Sequence, residues 1–248
     1  KKKPQRQMPS WLRYVIAGLI AFLFLAAFFY FFIRPYSYRW KPCYGFKAYG
    51  VCMPSGFQVH GIDVSHYQGN IDWKMLTQTR QGKFPIHFVF MKASEGGDYG
   101  DKAFITNFDS AKTHGFIRGA YHFYNPKTDP IRQADFFINS VKLDSGDLPP
   151  VLDIEKRGKD ENQLRRDLKL WLDKIEQHYK VKPILYTSYK FKTRYLNDSV
   201  FNSYPYWIAH YYVDSVKYEG KWHFWQHTDV GNVPGIEEEV DLNVFNGT

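Results

Sequence analysis

The chain has 248 residues, of which 44% are hydrophobic and 19% aromatic, so it can bury a full core. Its net charge of +8 would ordinarily indicate an anionic partner such as nucleic acid. Residues 1–41, however, hold eight of the 33 basic residues and no acid, which leaves 25 basic against 25 acidic residues in 42–248. The body of the protein is therefore formally neutral, and we expect no nucleic-acid partner.

An uncharged, proline-free apolar segment occupies residues 14–33. As a helix it would extend roughly 30 Å, the thickness of the bilayer hydrocarbon. A cleaved signal peptide is the alternative, but its apolar region is usually about 7–15 residues long and precedes a small-residue cleavage site. Here Tyr36, Tyr38 and Trp40 follow, in the manner of an interfacial aromatic belt. We predict an uncleaved, single-pass membrane anchor.

Five basic residues precede this segment and three follow it, which favours a cytoplasmic amino terminus and an extracytoplasmic body. Cys43 and Cys52 are the only cysteines. In an exported chain we expect them to form a disulfide, because a metal site would need more ligands nearby. The predicted organisation is a basic cytoplasmic tail at 1–13, a transmembrane helix at 14–33, a linker at 34–56 and one domain at 57–248.

Within 57–248, apolar runs rich in β-forming residues alternate with helix-like segments, the clearest of which is 160–180. This alternation predicts a parallel sheet covered on both faces, and eight strands predict closure into a TIM-like α/β barrel. The last connections are too short for full helices, so the final outer helices should be missing. The eight runs are 59–65, 86–94, 115–124, 149–155, 182–188, 205–211, 223–228 and 240–245.

Acidic residues lie at the ends of these predicted strands. Asp63 ends the first run, Asp153 and Glu155 end the fourth in "LPPVLDIEKRG", and Asp241 begins the eighth. Residues i and i+2 of a strand share a face, so Asp153 and Glu155 should both point into the barrel. Two buried carboxylates are costly unless they serve a purpose, and their proximity raises one pKa, as a general acid requires. The alternative is that Glu155 forms an ion pair with a following base.

Other polar and aromatic residues lie at the same predicted rim. Lys92 and Glu95 could form an ion pair, and Asp63 and Asp72 could cap helices. His122 could bind a metal, but no His/Cys cluster accompanies it, so we expect no metal. The aromatic residues and Gln226 at the rim suit sugar rings, although each aromatic taken alone is more typical of a core.

The motifs "GIDVSHYQGNIDW", "FVFMKASEG", "GAYHFY", "PPVLDIE", "PILYTS", "YWIAHY", "FWQHT" and "VDLNVF" together resemble the glycoside hydrolase family 25 lysozymes, the Chalaropsis-type muramidases. The resemblance covers about residues 58–247 and implies a (β/α)5β3 barrel. It also implies cleavage of the β-1,4 bond between N-acetylmuramic acid and N-acetylglucosamine in peptidoglycan, by a monomeric domain without a cofactor.

The resemblance also implies roles for individual residues. Glu155 would be the catalytic acid/base, and Asp153 would either attack the anomeric carbon or steady the substrate's 2-acetamido group as an internal nucleophile. Asp63 and Asp241 would complete the acidic floor of the cleft. Retention of anomeric configuration through the acetamido group is expected. The residues assigned to sugar contacts are Tyr121, Tyr186, Trp207 and Gln226.

Two alternatives stay open at this point. A chitinase-like hydrolase also places D-x-E on its fourth strand, but it normally shows a longer D-x-x-D-x-D-x-E run than the "LPPVL" that precedes Asp153. A membrane-anchored protein that binds peptidoglycan without cleaving it could keep the same fold. The intact set of four acids argues against the second alternative.

Overall fold

The computed structural model describes residues 9–34, 42–218 and 220–247, and the chain divides into two compact units, Lys1–Tyr44 and Gly45–Thr248. In the first unit, helix α1 (Ser10–Phe28) continues in wider π-helical turns over Phe29–Ile33. None of its residues is buried, and the mean hydropathy of its most apolar stretch is 2.6. By length and composition, this helix could cross a membrane.

The second unit contains eleven strands and five α-helices within its described residues. A small antiparallel hairpin comes first, and the other strands belong to one sheet. The elements are β1 (Lys47–Ala48), β2 (Val51–Cys52), β3 (Val59–Val64), α2 (Trp73–Thr77), β4 (Ile86–Glu95), β5 (Tyr99–Gly100), α3 (Phe104–Thr113), β6 (Ile117–Phe123), α4 (Pro130–Ser140), β7 (Val151–Asp153), α5 (Glu161–Tyr179), β8 (Ile184–Ser188), α6 (Tyr189–Tyr195), β9 (Tyr206–Ala209), β10 (Phe224–Gly231) and β11 (Val240–Phe245).

Eight strands close into a barrel in the order β3-β4-β6-β7-β8-β9-β10-β11, with β11 paired back to β3. Neighbours from β3 to β10 are parallel, whereas β11 is antiparallel to both β10 and β3. The expectation of a wholly parallel sheet is therefore wrong for the last strand. Its physical reason is the short connection 232–239, because a parallel crossover needs a dozen or more residues and a short loop reverses the chain.

Helices follow each of the first five barrel strands, and none lies in the described residues between β9 and β10 or between β10 and β11. The predicted helix at 160–180 is confirmed as α5, which begins where Asp160 Oδ1 accepts a hydrogen bond from the Asn162 backbone N–H at 2.8 Å. It ends at Lys180, whose φ of 59° stops further helical turns. Its apolar face is buried against the barrel wall.

Aromatic side chains fill the barrel interior. Phe90 stacks on Trp207 with ring centroids 4.4 Å apart, and Phe88 packs edge-on against Phe224 at 5.3 Å. Two glycines make room for these rings, since a Cβ on Gly61 would fall 2.3 Å from Phe88. The filled interior forms a floor, and polar side chains occupy the end of the barrel above it.

The β1–β2 hairpin packs on the outside of the barrel, although the sequence analysis assigned it to a linker. Met53 is buried in the outer core, the hydrophobic cluster that the barrel strands and the helices form together. The Tyr49 hydroxyl donates to the Phe84 carbonyl at 2.6 Å. Cys43 and Cys52 are disulfide-bonded, so that prediction is confirmed. The hairpin therefore covers apolar surface of the barrel in addition to connecting it to the preceding chain.

Candidate active site

A pocket of about 180 Å³ lies at the end of the barrel where the parallel strands terminate. The structure brings all eight predicted catalytic and sugar-contact residues together in the lining of this pocket. The pocket opens on the face at the carboxyl ends of the strands, which carries the active site in barrels of this kind. Sequence position alone would not place Asp241 there in an all-parallel barrel. It is the reversed direction of β11 that puts its first residues beside the ends of the other strands. The lining residues are Asp63, Ser65, Tyr67, Lys92, Tyr121, Phe123, Asp153, Glu155, Tyr186, Trp207, Gln226 and Asp241.

Strand β7 ends at Asp153, and Glu155 follows two residues later. The backbone of the residue between them is hydrogen-bonded to the neighbouring strand β8. The Ile154 backbone N–H donates to the Tyr186 carbonyl at 2.9 Å, and its carbonyl accepts from the Thr187 hydroxyl at 2.6 Å. Ile154 itself is fully buried in the outer core. Asp153 and Glu155 consequently share the pocket side of the strand, as their spacing predicts.

Asp153 lies deep in the pocket, with 6% of the residue exposed. Its Oδ1 is buried and has no hydrogen-bond partner among the described residues. Burial, and then the nearby charges of Glu155 and Asp63, raise the pKa of this carboxyl well above its ordinary value. Asp153 therefore lines the pocket with an acceptor that the described residues do not satisfy.

Glu155 lies higher in the same pocket and is exposed to solvent. Burial of its carboxyl among the pocket walls raises its pKa, while the positive charges of Lys156 and Lys92 oppose the rise. The alternative of an ion pair with a following base is not observed among the described residues, where Arg157 pairs instead with Glu161 at 3.5 Å. Glu155 thus combines a raised pKa with access to a ligand, the two properties of a general acid.

Asp63 and Asp241 face each other across the β3–β11 pair, and their carboxyl groups hydrogen-bond each other. Asp63 Oδ2 also accepts from the side-chain amides of Gln226 at 2.8 Å and Asn243 at 2.7 Å. Burial raises the pKa of both carboxyls, and the two amides oppose that rise at Asp63. Because the amides stabilise a charge on Asp63, we assign the shared proton to Asp241.

Gln226 is committed to contacts within the protein. Its Oε1 accepts hydrogen bonds from the hydroxyls of Tyr186 and Tyr211, each at 2.6 Å, while its amide donates to Asp63. Trp207 is similarly engaged: it is 1% exposed, and its Nε1 donates to Asn243 Oδ1 at 2.7 Å. These side chains hold the carboxylates in position as well as lining the pocket.

Sequence reasoning missed Asn243, Tyr211 and Tyr67. Asn243 could have been found, because it lies two positions after Asp241 on a strand and must share its face. Tyr211 follows strand β9, and Tyr67 lies in a turn stabilised by Ser65, so no periodic pattern points to either. Their positions depend on loop geometry that the sequence does not encode locally.

Three other residues that the sequence analysis considered are engaged in contacts within the protein. Lys92 and Glu95 form the expected ion pair, with Nζ and Oε2 2.6 Å apart. His122 is fully buried, and its ring nitrogens lie 2.8 Å from Ser94 Oγ and 3.1 Å from Gln133 Oε1. Among the described residues, no three His, Cys, Asp or Glu side chains are grouped as a metal site would require.

The chain is similar to a family and to several known proteins. The family model described as glycosyl hydrolases family 25 matches residues 62–236. Uncharacterized protein YegX of Escherichia coli (strain K12) is 39% identical over 213 residues, which are 85% of this chain and 77% of that protein. Lysozyme M1 of Streptomyces globisporus is 34% identical over 211 residues, which are 77% and 68% of the two chains.

A solved structure of a family 25 glycosyl hydrolase from Bacillus anthracis superimposes with a TM-score of 0.71 and 33% identity. The superposition covers 77% of this chain and 90% of that one. The residues that the family model matches include Asp63, Asp153 and Glu155. The chain therefore belongs to glycosyl hydrolases family 25 and is a glycoside hydrolase.

Proposed function

We propose that the protein is a peptidoglycan hydrolase, an N-acetylmuramidase that cleaves the β-1,4 bond between N-acetylmuramic acid and N-acetylglucosamine. The family membership and the name of Lysozyme M1 support this substrate. The observation that carries the proposal is the pair of acids at the end of β7, in which buried Asp153 and exposed Glu155 line one pocket. The catalytic barrel spans 57–248 in this proposal, and the order of helices and strands supports its (β/α)5β3 form.

Glu155 acts as the general acid in the first step. Its raised pKa keeps a proton on the carboxyl at higher pH than an ordinary glutamate would, and its exposure lets it reach the glycosidic oxygen. Transfer of that proton to the oxygen allows the C1–O bond to break and the rest of the glycan to leave as an alcohol. Glu155 is left as a carboxylate, ready to accept a proton.

Asp153 assists the nucleophile, which is the substrate's own 2-acetamido group. In the proposed mechanism the carbonyl oxygen of the substrate's 2-acetamido group attacks C1 and forms a cyclic oxazolinium ion, while its N–H donates a hydrogen bond to Asp153. The unsatisfied Oδ1 supports this role, since an N–H donor would complete it. Water then attacks C1, Glu155 takes its proton, and the acetamido group re-forms, so configuration is retained.

Asp63 and Asp241 support the reaction from the floor of the pocket. With the shared proton on Asp241, Asp63 remains ionised under its two amide donors and can orient sugar hydroxyls or stabilise developing positive charge at C1. Tyr121, Tyr186 and Trp207 form the aromatic walls. Gln226 acts through Asp63 as a positioning residue.

The proposed location is the cell envelope. Helix α1 would anchor the chain in the membrane with residues 1–13 in the cytoplasm and the barrel outside it, where glycan strands are accessible. The Cys43–Cys52 disulfide supports an oxidising compartment for the barrel. The membrane and peptidoglycan glycan strands are the proposed partners, and the catalytic domain is proposed to act as a monomer.

Digestion of purified cell-wall sacculi by the detergent-solubilised full-length chain tests this function. We expect soluble muropeptides whose reducing ends are N-acetylmuramic acid, first released as the β-anomer. Reducing-end N-acetylglucosamine would contradict the assigned bond, and release of the α-anomer first would contradict retention. No release from sacculi would contradict the function itself.

A further inference from the structure

A second pocket of about 380 Å³ lies beside the reaction pocket. Tyr67 and Lys92 line both pockets, so the two form one continuous cleft. The second pocket is built from the turn after β3, the β4–β5 loop and the loop after β6. The side chains that line it alone are His66, Glu95, Asp98, Tyr99, Asn125 and Thr128. None of these belongs to the four-acid set described above.

The charges of the second pocket are compensated within the protein. Lys92 pairs with Glu95 at 2.6 Å, and Asp98 accepts from Arg132 at 3.3 Å. His66 Nδ1 lies 2.7 Å from Oδ2 of Asp101, whose side chain is fully buried. The described lining therefore offers no uncompensated cation to an anionic ligand such as the carboxylates of a peptide. A neutral, hydrogen-bonding ligand fits this chemistry better.

Two tyrosine rings are exposed at the pocket. Tyr67 is 73% exposed and packs against His66 with ring centroids 4.2 Å apart and the rings tilted by 34°. Tyr99 is 43% exposed. With Nδ1 held by Asp101, the Nε2 of His66 is left to a ligand. Aromatic faces beside polar groups match a sugar ring, which presents C–H groups on its faces and hydroxyls around its edge.

The β4–β5 loop is fixed in place, so the pocket is preformed. Gly96 has a φ of 56°, which favours glycine, and a Cβ on Gly97 would fall 2.8 Å from Arg132 Nε and 2.9 Å from Thr128 Cγ2. Arg132 Nε also donates to the Gly97 carbonyl at 3.3 Å. A ligand would bind without first ordering this loop, which lowers the entropic cost of binding.

We propose that the second pocket binds a further hexosamine ring of the same glycan strand, beyond the sugars held in the reaction pocket. The inference rests on the proposed muramidase function and adds a preference for long strands. Tyr99 supplies the stacking face, and His66 hydrogen-bonds a hydroxyl or acetamido group. Stem peptides would project out of the cleft.

The test compares kcat/KM on peptide-free glycan strands of graded length, using the full-length chain in detergent. Tyr99→Ala should lose about tenfold on long strands and less than twofold on the shortest strand that is cleaved. Tyr99→Phe should keep the parent's length preference, because the ring face remains. Tyr44→Ala, at a 94% exposed tyrosine outside both pockets, is the matched control.

Equal losses by Tyr99→Ala at every length, or no loss on long strands, would overturn the proposal. The same variants are also compared on strands that carry stem peptides. A loss by Tyr99→Ala confined to those strands would identify a peptide as the occupant and would also overturn the proposal. Failure of the proposed function would look different, because the parent itself would then cleave no strand of any length.

Discussion

The Asp153→Asn variant is expected to be more stable than the parent and far less active. Asp153 is nearly fully buried, its Oδ1 has no partner among the described residues, and two neighbouring acids lie close to it. In the folded protein the Asp153 carboxyl is therefore either a poorly solvated charge or protonated. At neutral pH both states lower the free energy of unfolding. Replacing the carboxyl with a neutral amide of the same shape removes that cost.

Its magnitude follows from the burial of a carboxylate charge without a partner, which costs at least about 1–3 kcal/mol and which the neutral amide does not incur. For a chain of this length, each 1 kcal/mol corresponds to roughly 2–4 °C in Tm. The pKa of Asp153 is raised above its ordinary value of 3.8, so its penalty is present above that pH and disappears below it. We therefore expect the gain in Tm at pH 8 and almost none near pH 4.

Thermal unfolding of both proteins across this pH range, with sacculus digestion alongside, is the assay. Activity should fall about 10²–10³-fold if Asp153 holds the acetamido group. Asp147→Asn is the matched control, because this buried aspartate accepts from Arg118 Nε at 2.8 Å and Nη2 at 3.0 Å. The control should lose about 1–3 kcal/mol. A less stable Asp153→Asn variant at pH 8 would refute the reasoning.

Three further predictions concern other parts of the chain. Lys156→Met removes a cation that lowers the pKa of Glu155, so the loss of kcat/KM with rising pH should move to higher pH; an unchanged profile would contradict the role of Glu155 as acid. Replacing Cys43 and Cys52 together with serine should lower the free energy of unfolding by about 2–3 kcal/mol in denaturant titrations, because the disulfide closes a short loop; equal midpoints would contradict this. The full-length chain should stay in the membrane fraction after carbonate washing, whereas recovery of a soluble, amino-terminally shortened species would show that 14–33 is removed.

The convergence of the acids could be predicted from the sequence because it follows from strand geometry. The i, i+2 spacing of Asp153 and Glu155 gives them a shared face once the segment is extended, as its apolar run predicts. The position of Asp63 at a strand end then follows from barrel architecture. These inferences use local spacing and one general rule, and the structure places all three in the same pocket.

The direction of β11 could not be predicted in the same way. A strand reads alike in both directions, and only the length of its connection to β10 distinguishes them. The sequence places Asp241 at the start of the eighth run without fixing which end of the barrel this is, and the family resemblance supplies its role in the cleft. Its pairing with Asp63 follows from the antiparallel register. The hydrogen bonds of Gln226 and Asn243 to Asp63 depend on the same register.

The packing of the β1–β2 hairpin and the second pocket also required the structure. Ala48 and Val51 pack against the outer core, yet their sequence neighbourhood is predicted to be a linker because the strands are only two residues long. Tyr99 begins the two-residue strand β5, and its position beside His66 follows a turn that Gly96 permits. Contacts between loops that are distant in sequence leave no periodic pattern.

Cleavage of sacculi by the Glu155→Gln variant tests the central claim most directly. The variant keeps the shape of the side chain but cannot donate or accept the catalytic proton, and Glu237→Gln, at an exposed glutamate outside the pocket, is the matched control. We predict that muropeptide release falls about 10²–10⁴-fold in Glu155→Gln, with Tm unchanged or raised, and stays at the parent's rate in the control. Equal release by the parent and Glu155→Gln would contradict the assignment of Glu155 as the proton donor.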